Sequence, residues 1–153
     1  MTDSQINVRS ATPADLEIVA RFNCALAAET EAKCLDIDTV RAGVRKALES
    51  ESLGLYFMAE LDGAVAGQTM ITYEWSDWRD ALIWWIQSVY VDPAFRRLGV
   101  YRALYDHIRG AAKARPEVCC IRLYAMRNNA TALDAYRRLG MSVTDYVVCE
   151  EEW

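Results

Sequence analysis

The stretch Trp84-Trp85-Ile86-Gln87-Ser88-Val89-Tyr90-Val91-Asp92-Pro93-Ala94-Phe95-Arg96-Arg97-Leu98-Gly99-Val100-Tyr101-Arg102 reads as strand, short loop, helix. Leu82 to Val91 is almost wholly apolar and aromatic, the composition of a central strand. Asp92-Pro93 ends it, and an amphipathic run from Gly99 reaches about Ala114 before Pro116 stops the helix. A loop feeding a helix N-terminus offers unpaired backbone N–H groups, and these suit a phosphate. Arg96, Arg97 and Arg102 crowd the same place. Positive charge opposes the helix dipole there unless an anion is present. Gly99 lets the backbone approach a ligand closely. The plainer reading is a basic, solvated helix start on an acidic protein. No Gly-Lys-Ser/Thr comes after it, so this is not a Walker loop, and it is not the dinucleotide G-x-G-x-x-G.

Working outward, Ile6-Asn7-Val8-Arg9 alternates as a short strand. Thr12-Pro13-Ala14-Asp15 opens a first helix that continues through Leu16, Val19, Ala20 and Leu26. The polar run Glu29 to Asp38 reads as a loop or helix end, with Asp38 capping a second helix through Leu48. Leu55 to Leu61 and Ala64 to Tyr73 are strands joined by the hairpin signal Asp62-Gly63. After the central strand and its helix come a strand over Val118 to Ala125, a helix over Asn129 to Leu139 closed by Gly140, and a strand over Met141 to Glu150. The order β-α-α-β-β-β-α-β-α-β predicts a mixed α/β fold, with helices on both faces of one sheet.

The chain has 153 residues, the size of one domain, and no linker divides it. Hydrophobic residues make up 53%, which excludes disorder. A net charge of −5 argues against nucleic acid or an anionic membrane as partner. Five cysteines, Cys24, Cys34, Cys119, Cys120 and Cys149, give an odd count with no C-x-x-C, so neither a disulfide framework nor a thiolate metal site is expected. On a strand, Cys119 and Cys120 would point to opposite faces. His107 is the only histidine. It excludes His-pair metal motifs, disfavours a Ser-His-Asp triad and suits a part-buried structural role. No metal is expected. Met1 to Ile6 carries no apolar signal core, and no window is long and apolar enough for a membrane span. Cytoplasmic residence is the expectation.

Arg96-x-x-Gly99-x-Tyr101, preceded by Ser88-Val89-Tyr90-Val91-Asp92-Pro93, resembles the acyl-coenzyme A loop of the GCN5-related N-acetyltransferase (GNAT) family. About thirty residues on, Asn129-Ala130-Thr131-Ala132-Leu133-Asp134-Ala135-Tyr136-Arg137-Arg138-Leu139-Gly140-Met141 resembles the family's second signature, N-x-x-A-x-x-x-Y-x-x-L-G-F. The element order over residues 6–150 fits as well, so the resemblance spans nearly the whole chain. It implies one GNAT domain over residues 1–153, a central, mostly antiparallel sheet, and acetyl-CoA as cosubstrate. Met141 in place of Phe is a mild core change. The family has Gly or Ala where Tyr101 stands, so that ring must turn from the phosphates or pack on the cofactor.

The resemblance also implies roles. Backbone groups of Arg97, Leu98, Gly99, Val100, Tyr101 and Arg102 would hold the pyrophosphate, with Arg96 and Arg97 adding charge. The central strand would splay from the next one, and Val89 and Val91 would bond the pantetheine arm as an added pseudo-strand. Asn129 would bond the same arm; by itself it also reads as a helix N-cap. Tyr136 would be the general acid for the leaving thiolate; by periodicity alone it reads rather as a core aromatic beside Leu133 and Leu139.

A base is harder to place. An alkylamine of pKa about 10 is neutral in about one part in a thousand at pH 7, a penalty of roughly 4 kcal/mol. Some family members carry a carboxylate on the central strand; here Gln87 can orient water but cannot take the proton. Among the residues Glu74 is the first candidate and Glu29 or Glu31 the second, and the absence of any protein base stands beside them as an open alternative. Tyr73 to Asp80 alternates aromatics and acids in what reads as a loop. Trp75 and Glu74 of this stretch, with Trp85 of the central strand, form either an amine pocket or, for Trp75 and Trp78, cover for a sheet edge or a homodimer contact. No cysteine carries the activation that a covalent route needs. The expected function is direct acetyl transfer from acetyl-CoA to a small primary amine. The alternatives are a non-catalytic acyl-CoA-binding module and a protein N-terminal or lysine acetyltransferase.

Overall fold

The computed structural model describes residues 5–153; Met1 to Ser4 of the polar opening lie outside it. The chain forms two compact units, the first ending at Leu123 and the second spanning Tyr124–Trp153.

The first unit is a five-stranded sheet. Its strands β1 (Asn7–Ser10), β2 (Leu55–Leu61), β3 (Ala64–Ser76), β4 (Ala81–Val91) and β5 (Val118–Leu123) lie in chain order. All neighbours are antiparallel except β4 and β5, which are parallel. Helices α1 (Leu16–Glu31) and α2 (Ile37–Glu49) precede β2, and α3 (Val100–Lys113) makes the crossover from β4 to β5. Asp62 and Gly63 both take positive φ, 52° and 81°, as the two-residue hairpin between β2 and β3 requires.

Side chains alternate across the sheet, and helices cover both faces. On one face Val19 of α1 and Val44 of α2 pack with Tyr56 and Met58, and Phe22 lies 4.9 Å from Tyr90. On the other, His107 of α3 meets Phe57 edge-on at 5.1 Å. The single histidine is thus a part-buried packing residue. Val100, Leu104, Tyr105, Ile108 and Ala112 form the buried stripe of α3.

Asp15 anchors the start of α1. It is buried, accepts from Arg9 at 2.8 and 2.9 Å and from the Thr12 amide at 2.7 Å. The Arg9 hydrogen bonds hold its carboxyl below the usual range. A depressed carboxylate stabilises the fold fully above the unfolded value and stops doing so as pH falls through the folded one. Asp15→Asn should cost about 2–3 kcal/mol at neutral pH. Urea unfolding should show that gap closing in acid; a gap independent of pH would contradict the assignment.

Several boundaries differ from expectation. The cap of α2 is Asp36, which accepts from the Thr39 amide at 2.9 Å and from its hydroxyl at 2.6 Å. Asp38 instead pairs with Arg41 in the first turn. Strand β3 runs on to Ser76 because Glu74, Trp75 and Ser76 register with Ile83, Leu82 and Ala81, so part of the expected aromatic-acidic loop is ladder. Cys119 sits where the β4–β5 register shifts. That irregularity undoes the expected alternation: both Cys119 and Cys120 sulfurs lie near Arg79 Nη1, at 3.9 and 3.4 Å.

The second unit holds α4 (Ala130–Arg138), with Gly140 at φ 91° just past its end. Met141 to Glu150, expected as a strand, forms no ladder. A strand exists only through its pairing, and Val143, Tyr146 and Val148 stand exposed.

Candidate active site

The parallel ladder between β4 and β5 stops at Ile86 and Leu123, while β4 continues to Val91 against β3 alone. The last residues of β4 therefore present an edge. Which groups face it is decided by the register. The Asp92 amide donates to the Ala66 carbonyl at 2.9 Å. Gly67 and Val91, next in the ladder, therefore form a non-hydrogen-bonded pair. The N–H and C=O of Val91 turn away from β3, toward the open side, and the carbonyl accepts from Arg96 Nε at 3.0 Å.

Just before this edge β4 is bulged. The register shifts between Gln68 and Met70 of β3, and Ser88 takes φ 52°. An extra residue on one strand bends it and re-aims the residues beyond. Past β4 a short turn, Pro93–Phe95, leads to Arg97 at φ 65° and Gly99 at φ 87°. Gly99 is the N-cap of α3 and has no side chain to offer; the first turn carries no acid either. Gly67 lets this helix start seat on the sheet. A Cβ there would lie 2.8 Å from the Tyr90 carbonyl and 3.0 Å from Val100. The amides of Val100, Tyr101 and Arg102 thus open α3 without a side-chain cap, with three arginines around them. This donor set fits a pyrophosphate. The Tyr101 ring lies 6.5 Å from that of Tyr105, and Arg102 pairs with Asp106 at 2.8 Å.

On the face covered by α1 and α2, a cleft of 460 Å³ opens between the two helices and the bulge. Leu26, Val40 and Val44 are among its apolar walls; Asn23, Tyr56 and Ser88 bring polar groups to it, and Glu31 supplies a carboxylate. Glu29 is elsewhere. It accepts from Tyr90 Oη at 3.1 Å and from Arg96 at 2.7 Å. Burial, helped by Glu29, pushes the Tyr90 phenol above its ordinary value. Glu31 pairs with Lys33 at 2.7 Å.

Further along the same face, Thr72 and Glu74 of β3 register with Trp85 and Ile83 of β4. Gln87 donates to Thr72 Oγ1 at 3.4 Å, Arg122 of β5 reaches Glu74 at 3.2 Å and lies over the Trp85 ring at 5.9 Å. Glu74, Trp85 and Gln87 are thus brought onto one face. Trp75 is not: one residue past Glu74 on a strand, it points to the opposite face. It is 59% exposed and Trp78 90%, so neither covers the sheet.

In the second unit, Asn129 Oδ1 caps α4 by accepting from the Ala132 amide at 3.1 Å. Tyr136, seven residues on, lies on the same side of the helix and is half-buried.

Sequence reasoning missed Asn23, Tyr56, Gln68, Thr69, Thr72 and Arg122. One signal was available: Gln68-Thr69 interrupts a strand of small and apolar residues, and a buried polar residue is informative where an exposed one is not.

The acetyltransferase (GNAT) family model matches residues 23–141. The chain belongs to this family. A crystal structure described as a possible acetyltransferase from Clostridium difficile 630 is 40% identical, with TM-score 0.91 and 97% of each chain covered. A protein from Clostridium acetobutylicum described as a predicted acetyltransferase, solved with acetyl-CoA, shares the fold at TM-score 0.77 and 20% identity, covering 96% of each chain. The aminoglycoside N-acetyltransferase AAC(6')-Iy, solved with CoA, does so at TM-score 0.77 and 16% identity, covering 97% of this chain and 95% of its own. No curated protein matches. The GNAT family and its mostly antiparallel sheet make the chain an N-acetyltransferase. Among the described residues no helix is long and apolar enough to cross a membrane, and no cluster of side chains could hold a metal ion.

Proposed function

We propose that this GNAT enzyme moves an acetyl group from acetyl-CoA directly to a small primary amine. The observation that carries the reading is the open edge of β4 running into the uncapped start of α3. An extended pantetheine arm bonds to such an edge, through Val89 and the Val91 amide. The amides from Arg97 to Arg102 receive the pyrophosphate. Arg96 and Arg97 add charge, and Asn129 bonds the arm through its side-chain amide. The second unit, Tyr124–Trp153, belongs to the same acetyltransferase domain in this reading; the family match, which runs to residue 141, supports it.

The cleft supports the acceptor class. Its apolar walls and its carboxylate at Glu31 suit an amine with an apolar body and one positive charge better than a polycation. Glu74, with Trp85 and Gln87 on its face, takes the amine proton directly or through water. The nitrogen then attacks the thioester carbon, the carbon–sulfur bond breaks as Tyr136 gives its proton to the departing sulfur, and the second proton lost by the nitrogen as the amide forms returns to the Tyr136 phenolate through water. Glu29 serves by holding Arg96.

CoA release on a panel of free amines and peptides tests the assignment. Turnover of apolar monoamines is expected. Turnover of peptides alone would move the acceptor to protein, and acetyl-CoA binding without any turnover would make the chain a binding module. Glu74→Gln should lose most activity at low pH, with the deficit shrinking as pH rises toward the amine's own pKa of about 10. A pH–rate profile parallel to the native one would remove Glu74 as base.

A further inference from the structure

We propose that Gln68 and Thr69 are positioning residues of the transfer site: they fix the register of the β4 bulge and so decide which face the end of β4 shows to the cosubstrate. The inference rests on the reading of β4 as the pantetheine edge.

Gln68 and Thr69 are 0% and 1% exposed, and with Asp15 they are the buried polar residues of the chain among those described. Their donors meet the carbonyls of the bulge. Thr69 Oγ1 donates to the Gln87 carbonyl and Gln68 Nε2 to the Ser88 carbonyl, each at 3.3 Å. Ser88 has no partner in the β3 register, whereas Gln87 is the last residue paired, with Met70, before the register shifts. A buried carbonyl without a donor is costly; Gln68 supplies a donor to the carbonyl outside the ladder, and Thr69 adds a side-chain bond to the carbonyl at its edge.

The same Gln68 nitrogen donates to Asn23 Oδ1 of α1 at 2.8 Å, and Asn23 Nδ2 donates to Tyr56 Oη at 3.1 Å. Asn23, Tyr56 and Ser88 all line the cleft. The bulge is tied by this chain of bonds to the acceptor side as well. Gln68 Oε1 is buried without a partner. An apolar residue of the same shape would leave no such orphan, so packing alone does not account for glutamine here. The donor role does.

The consequence of losing the bulge is large. Slipping β4 by one residue past Gln87 inverts every later side chain of the strand. Tyr90 would leave Phe22 and Glu29, and the Val91 amide would turn into the sheet instead of toward the open edge.

The experiment compares Thr69→Val, which keeps the shape and loses the hydroxyl, with Thr69→Ser, which keeps the hydroxyl. Gln68→Met is the stronger variant, and Leu61→Ala, at the far hairpin, is a control for lost stability. The register is read by the NMR cross-peak between the Phe22 and Tyr90 rings, which needs no substrate; function is read by KM and kcat. Thr69→Val is expected to weaken that cross-peak and raise KM for acetyl-CoA about tenfold at little change in kcat. Thr69→Ser should restore both, and Leu61→Ala should lower the melting temperature with neither effect. Should Gln68→Met fail to fold, the threonine pair alone decides. An intact cross-peak and unchanged KM in Thr69→Val would overturn the proposal. A lost cross-peak with unchanged KM would keep the register role and refute β4 as the cosubstrate edge.

Discussion

Gly99→Glu should weaken acetyl-CoA binding about a hundredfold while the protein still folds. The separation of the two effects comes from the site. A Cβ at Gly99 meets nothing closer than Ile6 Cδ1 at 3.9 Å, so the new side chain displaces no packed atom. The cost to the fold is the backbone: φ is 87°, and a residue with a Cβ loses about 1 kcal/mol there, which lowers the melting temperature by about 2–4 °C for a chain of this size. The cost to binding is electrostatic. A carboxylate about 5 Å from a diphosphate, at partly screened exposure, opposes it by roughly 2–3 kcal/mol. Gly99→Ala separates the two, since it carries the backbone cost without the charge and should bind acetyl-CoA within a few-fold of the native protein. Calorimetric titration with acetyl-CoA measures both variants. Equal losses in the two would assign the effect to backbone strain.

Tyr136→Phe should lower kcat by about two orders of magnitude, the usual contribution of a positioned general acid, and leave acetyl-CoA affinity unchanged. Phenylalanine keeps the ring and removes the hydroxyl, and with it the proton that the step uses. Tyr136 is half-buried, one turn from Leu133 and three residues before Leu139, so a packing role alone would be satisfied by the phenyl ring. A stable Tyr136→Phe protein with native kcat would end its assignment as the acid. A fall in kcat matched by an equal loss of acetyl-CoA affinity would make it a binding residue.

The features legible in the chain are those that local chemistry specifies. Asp62-Gly63 marks its hairpin because two successive positive φ angles need such residues. The apolar run at Leu82 to Val91 marks a covered strand, and Gly99 marks the helix start. The details that shape the site are set by pairing between distant segments. The bulge at Ser88 has no signature in the β4 sequence; it exists because β3 carries Gln68 and Thr69 opposite. The irregularity at Cys119 likewise depends on the register with Leu82 and Ile83. Trp75 and Trp85 both looked like pocket residues, and only the register shows that alternation parts them. The cleft between α1 and α2 was invisible because its lining comes from Asn23, Glu31, Val44, Tyr56 and Ser88, which no local pattern joins. Met141 to Glu150 shows the converse: a good strand pattern does not by itself make a ladder.

The central claim is that the amides opening α3 hold the cosubstrate's pyrophosphate. Backbone amide shifts of a uniformly 15N-labelled sample, followed during titration with acetyl-CoA, test it most directly. The resonances of Gly99, Val100, Tyr101 and Arg102 should move together with that of Val91, saturating at the concentration that half-saturates turnover. Acetyl-CoA that binds and turns over while these amides stay unmoved would contradict the claim.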